Sequence, residues 1–211
     1  MGERILGVDP GLETTGYGLI VAEERRHAAV ASGTIVTNAR ASLAERIATL
    51  HAQFAQLLER LKPHVIVLEE LYAHYAHPTT AILMGHARGV IALAVAQRRL
   101  PLICYLPTHV KKAVTGNGHA TKQQVQGMVT ALLRLTRRPE PDDVSDAFAL
   151  ALAHAHTLQH TGIEWRVQSR EKIQCTASAT NKTVLALFRR RRRATLHSEL
   201  LTLNSPSGVR R

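Results

Sequence analysis

The run Ile5-Leu6-Gly7-Val8-Asp9-Pro10-Gly11 constrains the fold more than any other stretch of the chain. A short apolar run closed by a Pro-Gly turn fits a buried strand better than a helix, and this one stops on a carboxylate. Asp9 is therefore expected at the carboxyl end of a central strand, where an open α/β sheet places its ligands and its chemistry. Asp before Pro-Gly also starts ordinary turns, so Asp9 gains meaning only from its company. That company begins at Val65-Ile66-Val67-Leu68, a second fully apolar strand that ends on Glu69.

Between and beyond these runs the pattern alternates. Thr15 to Ala22 and His27 to Val36 read as strands that complete a meander with the first. Ser42, with Glu45 at the capping-box spacing, opens a helix whose apolar residues keep a helical period to Lys62-Pro63. A helix rich in Gly and Ala is expected from Thr79 to about Gln97, then a strand from Leu102 to Leu106 and a short helix capped by Thr108 that carries Lys111 and Lys112. An amphipathic helix follows from Thr121 to about Leu135, with Lys122 in its first turn, and a last one from Asp142 to about His160. The expected fold is α/β, a five-stranded mixed sheet flanked by helices. The small residues at Gly85, Ala87 and Gly89 suit close packing against the sheet or against a second subunit.

On the last helix Asp143 and Asp146 are three apart and border an apolar stripe of Val144, Ala147, Phe148, Ala151 and Ala155. Asp9, Glu69, Asp143 and Asp146 thus form a set of acids at the edge of the core. Carboxylates that meet there repel one another and lose hydration unless a hard cation neutralises them. Oxygen-only ligands favour Mg²⁺ or Mn²⁺ over zinc. Cys104 and Cys175 offer neither metal-ligand spacing nor a disulfide framework, and a reduced compartment suits both. No stretch is expected to span a bilayer, and the amino terminus begins a strand, so the expected location is the cytoplasm.

Several runs together, ILGVDPGLETTGYGLI, VLEELY, MGHARGV, LPTHVKKAVTGNGHATKQQV and PDDVSDAFALALAHAH, resemble successive blocks of the RuvC family, bacterial Holliday-junction resolvases with an RNase H-like fold. The resemblance covers residues 4 to about 158. It implies that Asp9, Glu69, Asp143 and Asp146 are the catalytic acids and bind two Mg²⁺, with Mn²⁺ as a substitute. It implies that Tyr72 stacks on a base at the junction, and that Lys111 and Lys122 contact the scissile region. It also implies a homodimer built on the helix around Gly85 to Gly89, a four-way DNA junction as substrate, and RuvA and RuvB as branch-migration partners. Two neighbours compete for places in the acid set. Strand alternation sends Glu69 and Glu70 to opposite faces, and alignment favours Glu69. Asp142 projects about 100° around the helix from Asp143, and the Asp-x-x-Asp spacing selects Asp143 with Asp146.

Other classes are weaker. Asp-x-Gly-x-x-Thr-Thr-Gly also resembles the phosphate loop of actin-like and sugar-kinase ATPases, but those need two such domains and no internal repeat is visible. A junction-binding protein without catalysis gains nothing from carboxylates beside a polyanion. His74 and His77 lack partners for a zinc site, so the loop from Tyr72 to His77 reads as a nucleic-acid loop with rings to stack on bases. The net charge is +3 over residues 1–160 and +8 over residues 161–211. The chain is accordingly read as a nuclease domain, 1–160, and a basic, largely disordered tail, 161–211, whose run Arg189 to Arg193 suits DNA phosphates or solvent.

Overall fold

The computed structural model describes residues 2–23, 26–70 and 78–161. Its elements are β1 (Glu3–Asp9), β2 (Thr14–Ala22), β3 (His27–Val36), α1 (Leu43–Leu61), β4 (Val65–Glu69), α2 (Pro78–Gln97), β5 (Leu102–Tyr105), α3 (Pro107–Thr115), α4 (Lys122–Leu132) and α5 (Asp142–Thr161). The five strands form one sheet in the order β3-β2-β1-β4-β5. β1, β2 and β3 pair antiparallel, as a meander must, while β4 and β5 join β1 in parallel through helical crossovers.

The period of two along the strands separates two cores. Leu6, Val8, Ile66 and Leu68 face α1 and α2, where Leu50, Phe54 and Ile91 are fully buried. Ile5, Val65 and Val67 face the other way, against Val125 and Val129 of α4 and Phe148 and Leu152 of α5. Each fully buried Leu or Phe contributes about 1.5–3 kcal/mol, and both faces of the central strands are filled, so the sheet holds β1 and β4 rigidly.

Local chemistry sets the helix ends. The Ser42 hydroxyl accepts from the Glu45 backbone N–H while the Glu45 carboxylate accepts from the Ser42 N–H, which is the expected capping box. Thr121 and Gln124 repeat that arrangement at the start of α4. Three expectations need correction. Thr108 does not cap α3: Leu106 takes that position without a side-chain bond, because Pro107 already occupies the first helical turn with its fixed φ and missing N–H. α4 stops at Leu132, short of Leu135, and Arg134 adopts a left-handed φ of 52°. The stretch Thr79–Gln97 is long and apolar enough to cross a membrane by length and composition. Alanine and glycine lengthen its apolar run while adding little volume, and Arg88 is its one charged residue.

Candidate active site

β1 and β4 run in parallel with Val8 opposite Leu68, so the next residues, Asp9 and Glu69, end adjacent strands side by side. Both share the face of Ile5, Val65 and Val67, the face covered by α5. Glu70 falls on the opposite parity, as strand alternation requires. The first turns of α5 supply Asp143 and Asp146, and glycines let that helix come down onto the sheet. A Cβ at Gly7 would overlap the Ala147 carbonyl oxygen. One at Gly16 would overlap the Asp143 backbone, and one at Gly18 would stand 2.7 Å from the Phe148 ring. Gly7 pairs with Gly18 and Asp9 with Gly16, so the glycines form a shallow bed across β1 and β2. Main chain lies on main chain there. That approach brings Asp143 and Asp146 to Asp9.

The charges register the approach. Burial, then the carboxylates of Asp146, Asp143 and Glu69, push Asp9 up from its ordinary 3.8 to about 7, against a smaller opposing pull from Lys122. Glu69 is raised by burial and by Asp146, with Arg88 and Lys111 opposing. Asp146 is raised chiefly by burial, although Lys122 draws it down. Glu69, Asp146, Lys111 and Lys122 line one cavity of about 230 Å³, walled on its apolar side by Val110, Val125 and Leu150.

Lys122 Nζ lies 3.0 Å from Asp146 Oδ2 and 3.3 Å from Asp142 Oδ2. Gln126 Nε2 donates to the other Asp142 oxygen at 2.8 Å. Burial alone would lower the Lys122 pKa, but the bonds and charges of Asp146 and Asp142 outweigh it and the net direction is up. Asp142 itself is held down by Gln126 and Lys122. On the opposite flank the Arg88 guanidinium of α2 donates to the Glu69 backbone carbonyl and to Cys104 Sγ at 3.5 Å.

Among the described residues no three His, Cys, Asp or Glu groups stand in a ready-made metal cluster. Lys122 is seated against Asp146 instead. The donor set still suits a hard divalent cation, because it is oxygen only and because Asp9, Glu69 and Asp146 are each raised by burial and by neighbouring carboxylates. Such carboxylates lack positive charge.

The sequence profile of crossover junction endodeoxyribonuclease RuvC matches residues 5–154 of this chain. The chain belongs to the RuvC family. It is 44% identical over 160 residues to the crossover junction endodeoxyribonuclease RuvC of Rhodopirellula baltica, covering 76% of this chain and 89% of that protein. The RuvC of Moorella thermoacetica is 44% identical over 167 residues, covering 79% and 96%. Among solved structures, Thermus thermophilus RuvC in complex with Holliday junction substrate matches with a TM-score of 0.71 and 30% identity over 75% of this chain and 96% of that one. The fold is thus RNase H-like, as the family resemblance implied, and the family is one of nucleases that resolve Holliday junctions.

Within this RuvC family chain, the sequence-derived acids Asp9, Glu69, Asp143 and Asp146 are brought to one end of the sheet, and Lys111 and Lys122 to the cavity beside them. Tyr72 lies outside the described residues, as do His74, His77 and residues 162–211. Sequence reasoning missed Arg88, Gln126 and the contacts of Asp142 with Lys122 and Gln126. It also missed the glycine bed, although Gly7, Gly16 and Gly18 share one strand parity and would have revealed it.

Proposed function

We propose that this chain resolves Holliday junctions by paired, metal-dependent hydrolysis of phosphodiester bonds, using Asp9, Glu69, Asp143 and Asp146 as the catalytic acids. The observation that carries the reading is the meeting of two strand-end acids with two helix acids across a bed of glycines. These carboxylates would hold two Mg²⁺, or Mn²⁺ in their place, and ions so held activate a water and stabilise the leaving 3′-oxygen. The protein's part is electrostatic and positional. Burial keeps Asp9 and Glu69 short of solvent, so their affinity goes to a cation rather than to water. Lys111 and Lys122, at the rim of the cavity, present positive charge to the scissile or adjoining phosphates. Products with a 5′-phosphate and a 3′-hydroxyl follow from attack with the 3′-oxygen leaving.

Symmetric cutting needs two sites on one junction, and α2 offers the surface for a homodimer. Ile82, His86, Gly89 and Leu93 recur at helical spacing on its exposed side, with Ile82 61% and Leu93 52% exposed. Nothing lies within 4 Å of a Cβ built at Gly85 or Gly89, which leaves room for a partner helix. A helix apolar enough for a membrane, one side of which the other described residues leave exposed, is accounted for by that partner. Family resemblance supports Tyr72 as a base-stacking residue, RuvA and RuvB as partners and a cytoplasmic location, while the extent of the resemblance and the charge distribution support residues 1–160 as the nuclease domain and 161–211 as a basic tail.

The test is cleavage of a synthetic four-way junction with Mg²⁺, with Mn²⁺ and with chelator, beside Asp9→Asn. Paired nicks that need metal and vanish in the variant are expected. Junction binding without nicks in either metal would replace the nuclease with a non-catalytic binder.

A further inference from the structure

Asp142 adjoins the acid set without matching it, and its surroundings are more organised than a helix-start carboxylate requires. It stands four residues before Asp146 on α5, so both carboxylates rise on one side of the helix and meet Lys122 of α4. Lys122 and Gln126, themselves four apart on α4, take one Asp142 oxygen each. Gln126 is 2% exposed, so a buried amide fixes an exposed carboxylate, and the carboxylate then fixes the ammonium. Stability does not explain the arrangement: the Lys122 and Asp142 side chains are 53% and 60% exposed, and exposed ion pairs contribute little.

Lys122 has two acidic partners of different use. Asp146 belongs to the catalytic acids, and a lysine held by Asp146 alone would lie over a metal-binding carboxylate. Asp142 pulls the same ammonium outward, toward the rim. We propose that Asp142, oriented by Gln126, is a positioning residue that holds the Lys122 ammonium at the rim of the acid cluster, available to the DNA phosphate. The inference rests on the nuclease reading above. It makes the pair Asp142 and Gln126 a support for Lys122, as outer partners support the groups that touch a substrate.

Asp142→Asn separates this role from a plain lock between α4 and α5. Asparagine keeps an oxygen for Gln126 and suits the start of a helix, yet presents an amide N–H₂ where Lys122 needs an acceptor. In full-length protein with Mg²⁺, single-turnover junction cleavage is expected to fall roughly tenfold in Asp142→Asn. In a Lys122→Met background the same change should add no loss. A second measurement needs neither metal nor cleavage: side-chain NMR of the metal-free protein should show the Lys122 ammonium signal shifted in Asp142→Asn as the group moves onto Asp146 alone, with the Gln126 amide signals retained. Wild-type rates in Asp142→Asn, an equal loss in the Lys122→Met background, or an unmoved Lys122 signal would each overturn the proposal. Wild-type protein that leaves junctions intact would instead remove the nuclease reading beneath it.

Discussion

Without metal, Asp9 should work against the fold. Its pKa rises from 3.8 to about 7 because burial and three neighbouring carboxylates disfavour its charge. The folded state therefore holds the Asp9 proton more tightly than the unfolded chain does. The stabilising effect of protonation is full below about pH 4, declines as pH rises, and is gone above about pH 7. At 1.36 kcal/mol per tenfold change in proton affinity, the full difference is about 4 kcal/mol, an upper bound because the site relaxes and admits water. Asp9→Asn carries no charge at any pH. In chelator, urea unfolding at pH 8 should find the variant about 2–4 kcal/mol more stable than wild type, with the gap closing to under about 1 kcal/mol near pH 4. Saturating Mn²⁺ should reverse the order, since ligand binding stabilises only the protein that binds it. A gap at pH 8 below about 1 kcal/mol, or one that does not change with pH, would refute the electrostatic account of the acid cluster.

The same linkage applies to binding: Mn²⁺ affinity followed by calorimetry should weaken by up to about tenfold per pH unit below about pH 7, with proton release on binding, as Asp9 becomes protonated. Gly7→Ala forces a Cβ into the Ala147 carbonyl and should destabilise the protein by about 1–3 kcal/mol on denaturation while depressing cleavage of the remaining folded protein. Thr121→Ala removes the acceptor for the Gln124 N–H at the start of α4 and should cost about 1 kcal/mol by the same assay. Leu93→Glu places a charge on the exposed stripe of α2 and should shift sedimentation from dimer to monomer, with the monomer's melting temperature little changed.

Strand parity, read from apolar runs alone, already showed that only one of Glu69 and Glu70 can share the face of Asp9, and the family resemblance chose Glu69. The capping box at Ser42 was equally legible, since its chemistry is local. What sequence could not show were relations between distant segments. Arg88 on α2 reaches the Glu69 carbonyl at the end of β4, and no spacing rule links residues nineteen apart. Asp142 was set aside by its angle to Asp143; its place four before Asp146 became meaningful only when Lys122 was seen between them. The membrane-length apolarity of α2 was overlooked because its small residues do not look like a span when read one at a time.

The glycine bed bears on how this enzyme can change over generations. A clash between side chains can be relieved by trimming either one, but the collision at Gly7 is with a backbone oxygen, and no substitution at Ala147 removes it. Rescue of such a lesion must come from tilting or sliding α5 as a body, and α5 carries Asp143 and Asp146 with it. Second-site revertants selected for restored folding should therefore arrive with altered metal preference or cleavage rate, so that in this region heredity cannot repair the scaffold without retuning the chemistry.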